Sequence, residues 1–223
     1  MPAEKPAVAT LEALRYDDMG NTMLLPLIPA GKKVLDVGCS TGLRAKWLRE
    51  HRNCYVAGIE IDQDMAALAA ERCNSLQIAD LDALPPLPYP DGNFDVLVFG
   101  DVLEHLKDPP GLVVQLMKYM RPDGIVVISI PNFVFLDIRL RILFGQFRYT
   151  KKGILDGTHL RFYTRRTLRE MLERCGLTVS KWDYTPPWFG VWRIFPGPVR
   201  RLMARIWPTL LAGEFVVTCV RSA

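Results

Sequence analysis

Cysteine pairs and long apolar runs are both missing from this chain. Its 223 residues hold five scattered cysteines, and an odd number without a Cys-x-x-Cys spacing argues against a disulfide framework or a structural zinc site. The longest stretch without charge, 124–136, is too short to span a bilayer and contains Pro131. Residues 1–10 lack the apolar segment of a signal peptide. We therefore expect a cytoplasmic protein.

A strong charge excess is also absent, since the net charge is only +4. This modest value, without a nucleic-acid-binding motif, disfavours a nucleic-acid partner. The charge is unevenly placed, however: residues 132–213 hold 15 Lys and Arg against 5 Asp and Glu, whereas the rest of the chain holds 13 against 19. The basic C-terminal part predicts an anionic partner; the alternative is that its arginines only solvate helices.

Apolar runs alternate with helical patterns over most of the chain. Strands are predicted at 33–37, 54–60, 75–79, 94–99, 125–130, 177–184 and 214–221, and helices at 41–51, 62–72, 109–120 and 167–175. Such alternation predicts a parallel sheet with helices on both faces. Right-handed crossovers then bring the loops after the first four strands to one edge of the sheet, where doubly wound folds bind ligands.

Some local features follow from composition. The residues at 121–124 predict a turn. Thr167 is predicted to cap the helix that follows it, with Glu170 at the third helical position. The stretches 131–166 and 186–213 interrupt the alternation of strands and helices, and we expect both to be irregular.

Small residues directly follow the first strand. Gly38, Ser40 and Gly42 let the backbone turn tightly and approach a ligand, while the N-terminus of the next helix favours a carboxylate or phosphate. Glu60 ends the second strand, where a carboxylate can accept hydrogen bonds from both hydroxyls of a ribose. The spacing is not the Gly-x-Gly-x-x-Gly dinucleotide fingerprint, which disfavours a nicotinamide oxidoreductase. Asp36 suits a ligand ammonium group rather than a pyrophosphate.

Segments in the same order resemble the motifs of class I S-adenosylmethionine-dependent methyltransferases of the type 11/12/23 superfamily. They are the glycine loop at 34–42, the ribose motif at 57–62, the adenine motif at 78–81 and the fourth-strand motifs at 93–96 and 101–106. The likeness covers 34–121 and returns at 158–179. The middle of the glycine loop is usually Gly, and Ser40 fits there if its φ is negative.

The resemblance implies a Rossmann-like α/β fold with a seven-stranded, mostly parallel sheet, helices on both faces and an antiparallel last strand. It implies one methyltransferase domain over residues 1–223. Within this domain, 1–32 form an N-terminal lid, 33–131 the cofactor-binding core, and 132–166 and 186–213 two acceptor-side inserts. The implied reaction is transfer of a methyl group from S-adenosylmethionine, with S-adenosylhomocysteine as product, to an oxygen of a small-molecule or lipid-like acceptor.

The resemblance also implies a set of cofactor contacts. They are Asp36 and Gly38 at the methionine end, Cys39, Ser40 and Gly42 in the same loop, Glu60 at the ribose, Ile61, Asp80 and Leu81 around the adenine, and Phe99 and Gly100 along the path of the methyl group. Tyr16 is expected to close over the cofactor from the lid; alternatively, it only packs there.

Two histidines are candidate catalytic residues. His105 follows the fourth strand, near the expected position of the methyl group, where a neutral imidazole could take the acceptor proton; alternatively, it caps or packs its helix. His159 follows the first insert and can return to the same edge, or it can hold a backbone carbonyl. A shared magnesium, manganese or zinc site of Asp101, Glu104 and both histidines is not favoured, because capping and packing explain the same residues.

The inserts interleave aromatic and basic side chains. Such a surface predicts either a lid over an ordinary small acceptor or a peripheral contact with a membrane, a lipid-linked acceptor or a phosphorylated acceptor. Two other functional classes stay open, a catalytically silent methyltransferase-like partner protein and the disfavoured oxidoreductase. Turnover with an acceptor separates the enzyme from the silent partner, and cofactor binding separates both from the oxidoreductase.

Overall fold

Seven strands form one mixed sheet in the computed structural model, which describes residues 21–83, 85–187 and 190–222. The strands are β1 Lys33–Val37, β2 Tyr55–Glu60, β3 Ser75–Ile78, β4 Phe94–Gly100, β5 Met120–Pro131, β6 Leu177–Thr185 and β7 Glu214–Arg221. Their order is β3-β2-β1-β4-β5-β7-β6, and β7 is antiparallel to both of its neighbours while the other pairs are parallel. The predicted sheet, with its antiparallel last strand, is confirmed.

Helices cover both faces of the sheet, as predicted. They are α1 Leu43–Arg52, α2 Gln63–Ala70, α3 Pro109–Met117, α4 Leu136–Leu143, α5 Arg165–Arg174, α6 Gly197–Ile206 and α7 Pro208–Leu211, with 3-10 helices at Thr22–Leu27, Leu81–Ala83, Leu103–His105 and Gly190–Ile194. The first 3-10 helix, α1 and α2 pack on one face in a core with Val34 and Val96. Helices α3 and α5 pack on the other face, with Leu35 and Leu97. Successive strand residues thus enter opposite cores, which explains the continuous apolar runs.

The direction of the strand order reverses between β1 and β4. The chain leaves β1 through α1 towards β2 and β3, whereas β4 continues into the other half of the sheet through α3. Because these connections pass over opposite faces, a crevice opens between the carboxyl ends of β1 and β4. The glycine loop and the 3-10 helix Leu103–His105 both lie at this edge.

The turn predicted at 121–124 is wrong. These residues lie within β5, where the pairing with β4 shifts between Phe94 and Val96. The extra residues form a bulge-like irregularity within the strand. Composition alone does not distinguish such an irregularity from a turn between two separate elements.

The predicted cap of the helix α5 is also wrong, by three residues. Thr164 and Thr167 form a capping box, in which the Thr167 N–H donates to Thr164 Oγ1 at 3.1 Å and the Thr164 N–H donates to Thr167 Oγ1 at 2.9 Å. Glu170 instead pairs with Arg166 on the surface, at 2.8 Å. The Thr167 hydroxyl therefore accepts the hydrogen bond from the backbone N–H of the capping residue, which the sequence had assigned to the side chain of Glu170.

Both inserts were expected to be irregular, but they contain the helices α4, α6 and α7. We call residues 132–163 and 190–212 the insert layer. The first of these segments begins where β5 ends, and β5 runs parallel to β4. The layer therefore starts from the same edge of the sheet as the crevice.

The two segments of the insert layer hold each other in place. The rings of Phe135 and Trp192 are in edge contact, with centroids 5.4 Å apart. Asn132 Nδ2 donates to the Ala212 carbonyl at 2.8 Å. Buried aromatic contact and a buried amide hydrogen bond together make the two segments one packed unit.

Candidate functional site

The glycine loop between β1 and α1 takes the tight course predicted for it. Gly38 and Gly42 have positive φ values of 67° and 74°. A Cβ on Gly38 would lie 2.8 Å from Val102 Cγ2, and a Cβ on Gly42 would lie 2.9 Å from Ala69 Cα. Both positions therefore require glycine, for backbone conformation and for close packing.

Ser40 departs from the prediction that its φ is negative. Its φ is 50°, in the left-handed region, and its side chain is exposed. This conformation costs a residue other than glycine roughly 1–2 kcal/mol. The Ser40 N–H donates to Glu60 Oε2 at 2.7 Å, a charge-assisted hydrogen bond that stabilises the loop in this conformation.

Glu60 connects the end of β2 to the glycine loop. Its Oε1 accepts the N–H groups of Ile61 and Asp62 at 2.8 and 3.0 Å, while Oε2 accepts that of Ser40. A carboxylate has about four lone-pair sites, so acceptor capacity remains for ribose hydroxyls. The position fits the predicted ribose contact, which stays a prediction.

Arg44, which sequence reasoning missed, forms a buried ion pair with Asp36. Its Nε lies 3.1 Å from both carboxylate oxygens of Asp36, and its Nη2 lies 2.8 Å from Oδ1. Its Nη1 has no hydrogen-bond partner in the described part of the chain, and a Cβ on Gly100 would lie 2.1 Å from it. A buried donor without a partner, between the ends of β1 and β4, fits the carboxylate of a methionine moiety. Arg44 lies four residues before Leu48, on the buried face of α1, and this spacing is the feature of the sequence that could have identified it as a buried residue.

Two predicted cofactor contacts bury their side chains in the core. Phe99 is fully buried, and Cys39 lies beside Cys73 close to Gly58 of β2. A hydrogen bond with Cys73, and then burial, raise the pKa of the Cys39 thiol. Cys39 and Phe99 can therefore meet a ligand only through their backbone atoms.

The residues predicted around the adenine lie after two adjacent parallel strands, β2 and β3. The side chain of Ile61 is 57% exposed, Asp80 is exposed, and Leu81 is half-buried against the core. Exposed apolar atoms beside a carboxylate suit a flat ring with a polar edge. Tyr16 lies outside the described residues.

Glu104, His105 and His159 come together directly after β4. One candidate ligand atom from each lies within 4.8 Å of the others, and the two imidazole rings are in edge contact with centroids 4.7 Å apart. The Leu160 and Arg161 N–H groups donate to the Glu104 carbonyl at 2.8 and 3.0 Å. These bonds hold the first insert against the 3-10 helix that carries His105, and so bring His159 to the carboxyl edge of the sheet.

Both imidazoles are oriented through Nδ1. Nδ1 of His159 lies 3.1 Å from the Ile154 carbonyl, and Nδ1 of His105 lies 3.3 Å from the Thr158 carbonyl and 3.1 Å from the Thr158 hydroxyl. Because a carbonyl only accepts, Nδ1 carries the proton in each neutral ring and Nε2 keeps a lone pair. Two such Nε2 atoms suit proton transfer or metal ligation.

Glu104 is buried, and neither of its carboxyl oxygens has a hydrogen-bond partner in the residues described. Burial, and then the charge of Asp101, raise the pKa of Glu104 well above its ordinary value. Burial lowers the pKa of His159, which favours its neutral form. Asp101 itself lies outside the group of three and accepts from Ser129 Oγ at 2.8 Å. A buried carboxyl group without a partner fits a cation better than it fits a capping or packing role.

Comparison with known proteins identifies the family. The family model for the methyltransferase domain matches residues 13–181. Phosphoethanolamine N-methyltransferase 1 of Arabidopsis thaliana is 35% identical over 105 residues, which are 44% of this chain and 21% of that protein. A probable S-adenosylmethionine-dependent methyltransferase of Mycolicibacterium smegmatis is 32% identical over 151 residues, 68% of this chain and 54% of that protein. The ubiquinone biosynthesis O-methyltransferase of Neisseria meningitidis is 28% identical over 160 residues, 67% and 65% of the two chains.

The chain spans about a fifth of the length of the plant relative and less than two thirds of the two bacterial ones. Among solved structures, an S-adenosylmethionine-dependent methyltransferase from Mesorhizobium loti has a TM-score of 0.63 at 19% identity, covering 95% of this chain and 100% of that one. The 1,6-didemethyltoxoflavin-N1-methyltransferase of Burkholderia thailandensis, solved with S-adenosylhomocysteine, has a TM-score of 0.57 at 17% identity, covering 100% and 79%. At these identities the likeness is one of fold.

The matched region, 13–181, contains the glycine loop, Glu60 and both candidate histidines. The seven-stranded fold agrees with that of the solved structures. The chain therefore belongs to the family of S-adenosylmethionine-dependent methyltransferases.

Proposed function

We propose that this protein methylates a hydroxyl oxygen of a small-molecule or lipid-like acceptor, using S-adenosylmethionine. The observation that carries the proposal is the group of Glu104, His105 and His159 at the edge that also carries the glycine loop. A hydroxyl must lose its proton when it accepts a methyl group, so a base or a cation beside the methyl path serves an oxygen acceptor. A neutral amine already offers a lone pair and needs neither.

The residues around the crevice would hold the cofactor in place. When bound, S-adenosylmethionine supplies an electrophilic methyl group on a sulfonium, which is a good leaving group. Arg44 Nη1, which has no hydrogen-bond partner among the described residues, suits the methionine carboxylate, and Glu60 suits the ribose hydroxyls. The tight turns at Gly38 and Gly42 let the backbone approach the ligand closely. These residues contribute by positioning, which reduces the entropic cost of aligning sulfur, carbon and oxygen.

His105 is the proposed general base. Its Nδ1 is held by Thr158, so Nε2 is free to take the acceptor proton while the acceptor oxygen bonds to the methyl carbon. The bond between that carbon and sulfur breaks, which leaves the methyl ether, neutral S-adenosylhomocysteine and a protonated imidazole. The edge contact with His159 restricts the orientation of the His105 ring.

The same three side chains fit a divalent cation. Glu104 offers a carboxyl group that has no hydrogen-bond partner in the part of the chain that the structure describes, and each histidine offers Nε2. This mixed set suits magnesium, manganese or zinc. A cation held there would lower the pKa of an acceptor hydroxyl in contact with it, and His105 would then not be needed as the general base. Metal addition decides between these two means of deprotonation.

Two relatives name the competing acceptor classes. The Neisseria meningitidis relative is an O-methyltransferase of ubiquinone biosynthesis, which supports a hydroxyl on a lipid-like molecule. The Arabidopsis thaliana relative is a phosphoethanolamine N-methyltransferase, so a nitrogen acceptor is the competing outcome.

A thermal-shift titration with S-adenosylhomocysteine, with NAD as the comparison, tests cofactor binding. At a hundredfold excess over Kd, we expect about 2.7 kcal/mol of stabilisation, or roughly 5–10 °C in Tm for a chain of this size. Glu60→Ala should abolish the shift, whereas Glu50→Ala, an exposed control on α1, should keep it. A shift with NAD alone would refute the methyltransferase function.

Methyl transfer to phenolic and lipid-linked hydroxyls, compared with phosphoethanolamine, tests the acceptor class. We expect His105→Gln to lower kcat by about 100-fold or more, with binding of S-adenosylhomocysteine unchanged. His51→Gln, at the C-terminal end of α1, is the control. If EDTA removes activity and Mn²⁺ restores it, and Glu104→Gln prevents the recovery, the cation replaces the base. Turnover of the amine alone contradicts oxygen transfer, and cofactor binding without any turnover indicates a silent partner protein.

A further inference from the structure

The insert layer exposes more large apolar side chains than folding requires. On and after α4, Leu143 is 75% and Phe144 73% exposed, and at the end of α6 Ile206 is 73% exposed, followed by the exposed Trp207. Scattered single apolar residues are normal on a protein surface, but a set on consecutive elements of one packed unit marks an interaction surface.

Helix α6 has an apolar face that points away from the protein. Val199, Leu202 and Ile206 are spaced three and four residues apart, so they share one face, and all three are exposed. Ala204, on the opposite side, is the buried residue of this helix. The usual orientation of a surface helix, with its apolar face towards the core, is therefore reversed.

Arginines border this exposed apolar face. On α6, Arg205 lies next to the row of Val199, Leu202 and Ile206 in helical projection, and Arg201 lies one turn before Arg205, further towards the side of Ala204. The segment 190–212 contains four arginines and no acidic residue. An apolar face with arginines at its border is typical of a helix that lies in the headgroup region of a membrane.

The other half of the insert layer repeats the combination. The exposed Leu140, Ile142 and Leu143 of α4 are interleaved with Arg139 and Arg141. The loop after α4 adds exposed Phe147, Arg148 and Tyr149. Because Phe135 and Trp192 join the two halves, the apolar and basic side chains belong to one unit rather than to two separate loops.

We infer that the insert layer docks onto the surface of a lipid bilayer that carries anionic headgroups. Charge complementarity favours a bilayer over an uncharged protein partner, because the insert layer, residues 132–163 and 190–212, carries 10 basic against 2 acidic side chains. Within the described residues no helix is long and apolar enough to cross a membrane, and α4 and α6 have only 8 and 10 residues. The helices therefore lie on the bilayer rather than span it.

Docking in this way brings the crevice to the membrane. The insert layer begins at the edge of the sheet where Glu104, His105 and His159 lie, so an acceptor dissolved in the bilayer meets the site without crossing water. This inference rests on the proposed function, and it identifies the insert layer as the place where the protein meets its lipid-like acceptor.

Vesicle sedimentation tests the inference with the full chain. The probes are phosphatidylcholine vesicles and vesicles in which about a third of the lipid is phosphatidylglycerol. We expect binding to the anionic vesicles and little to the neutral ones, and we expect it to weaken between about 0.1 and 0.5 M salt. Sedimentation with neither vesicle, or equal sedimentation with both at all salt concentrations, overturns the inference.

Two pairs of substitutions separate the contributions of charge and apolar contact. Arg201→Gln with Arg205→Gln should weaken binding to anionic vesicles by roughly tenfold or more, as should Leu202→Gln with Ile206→Gln. Val114→Gln, which alters a 54% exposed position on α3, and Lys46→Gln on α1 are matched controls that should bind as the wild type does. Retained binding of S-adenosylhomocysteine by all variants shows that they fold and keeps a failure of membrane docking distinct from a failure of the proposed function.

A second copy of this chain is the competing occupant of the apolar face. Light scattering at several protein concentrations, without lipid, detects it. A dimer that Leu202→Gln with Ile206→Gln dissociates, together with absent vesicle binding, overturns the inference in favour of self-association. A wild-type monomer that binds anionic vesicles supports it.

Discussion

At the scale of single residues, Ser40 has a left-handed backbone conformation that is unfavourable for residues other than glycine. Its φ of 50° carries a steric cost that glycine avoids. We expect Ser40→Gly to raise the free energy of unfolding by about 0.5–1 kcal/mol, since relief of the left-handed conformation outweighs the added entropy of the unfolded chain. Denaturation in urea measures the change.

Asn53 provides the matched control for this substitution. Its φ is 49°, but asparagine tolerates the left-handed region better than serine does. Asn53→Gly should therefore gain less than Ser40→Gly. An equal gain at both positions would mean that the left-handed conformation costs serine no more than asparagine, so that Ser40 is not specially strained.

Gly100 is required because the guanidinium of Arg44 fills the space beside it. A Cβ there would lie 2.1 Å from Nη1, and Arg44 cannot withdraw easily because Asp36 holds it in a buried pair. We expect Gly100→Ala to destabilise the protein by about 1–3 kcal/mol and to weaken binding of S-adenosylhomocysteine. Urea denaturation and calorimetry measure the two effects.

A second glycine tests whether this effect is local. An added Cβ on Gly197 has nothing within 4 Å, so Gly197→Ala should leave both stability and binding near those of the wild type. If Gly100→Ala behaves like Gly197→Ala, the ion pair is mobile and Arg44 does not constrain the crevice.

Residue types at the site could be predicted from the sequence, but their partners could not. The motif after β4 indicated His105, and the glycine loop indicated Asp36. The position of Arg44 on the buried face of α1 was visible in the sequence, but its pairing with Asp36 was not. Nor could the sequence show that both carboxyl oxygens of Glu104 have no hydrogen-bond partner among the described residues. Whether a buried polar atom finds a hydrogen-bond partner depends on neighbours from distant parts of the chain. Beside Glu104 these neighbours come from the first insert, whose Leu160 and Arg161 N–H groups bond to the Glu104 carbonyl.

At the scale of elements, strands were predicted better than helices. The bounds of β7, 214–221, agree with the prediction because a strand covered on both faces is a continuous apolar run between polar ends. Helices α4 and α6 were missed because both are short and have arginines between their apolar residues, and because Gly197 and Pro198 stand at the start of α6. Val199, Leu202 and Ile206 do have the helical spacing, but over so few residues this pattern is a weak signal.

The capping box of α5 offers a test at this scale. Thr164→Ala removes the hydroxyl that accepts the Thr167 N–H, and should cost about 1 kcal/mol of stability. Glu170→Ala removes only an exposed pair with Arg166 and should cost less than about 0.5 kcal/mol. Urea denaturation of the two variants compares them. The reverse order would place the cap at Thr167, as the sequence alone suggested.

At the scale of the whole molecule, the residues proposed for cofactor binding and those proposed for membrane docking lie on different structural units. The glycine loop and Glu60 belong to the β1–β2 half of the sheet, whereas the basic and apolar insert layer leaves β5 and returns at β7. The units meet where the Leu160 and Arg161 N–H groups bond to Glu104, beside the candidate histidines.

Trp192→Ala tests that division, because this tryptophan joins the halves of the insert layer through Phe135. Trp182→Ala is the matched control, since Trp182 packs against Phe215 of β7 and Arg165 of α5 and has no ring contact with Phe135 or Trp192 among the described residues. Each loss should cost about 1–3 kcal/mol and lower Tm by several degrees in a thermal melt. Only Trp192→Ala should weaken sedimentation with anionic vesicles, whereas both variants should bind S-adenosylhomocysteine within about twofold of the wild type. If Trp192→Ala abolishes cofactor binding as well, the insert layer and the crevice form one cooperative unit, and the separation of cofactor binding from membrane docking is wrong.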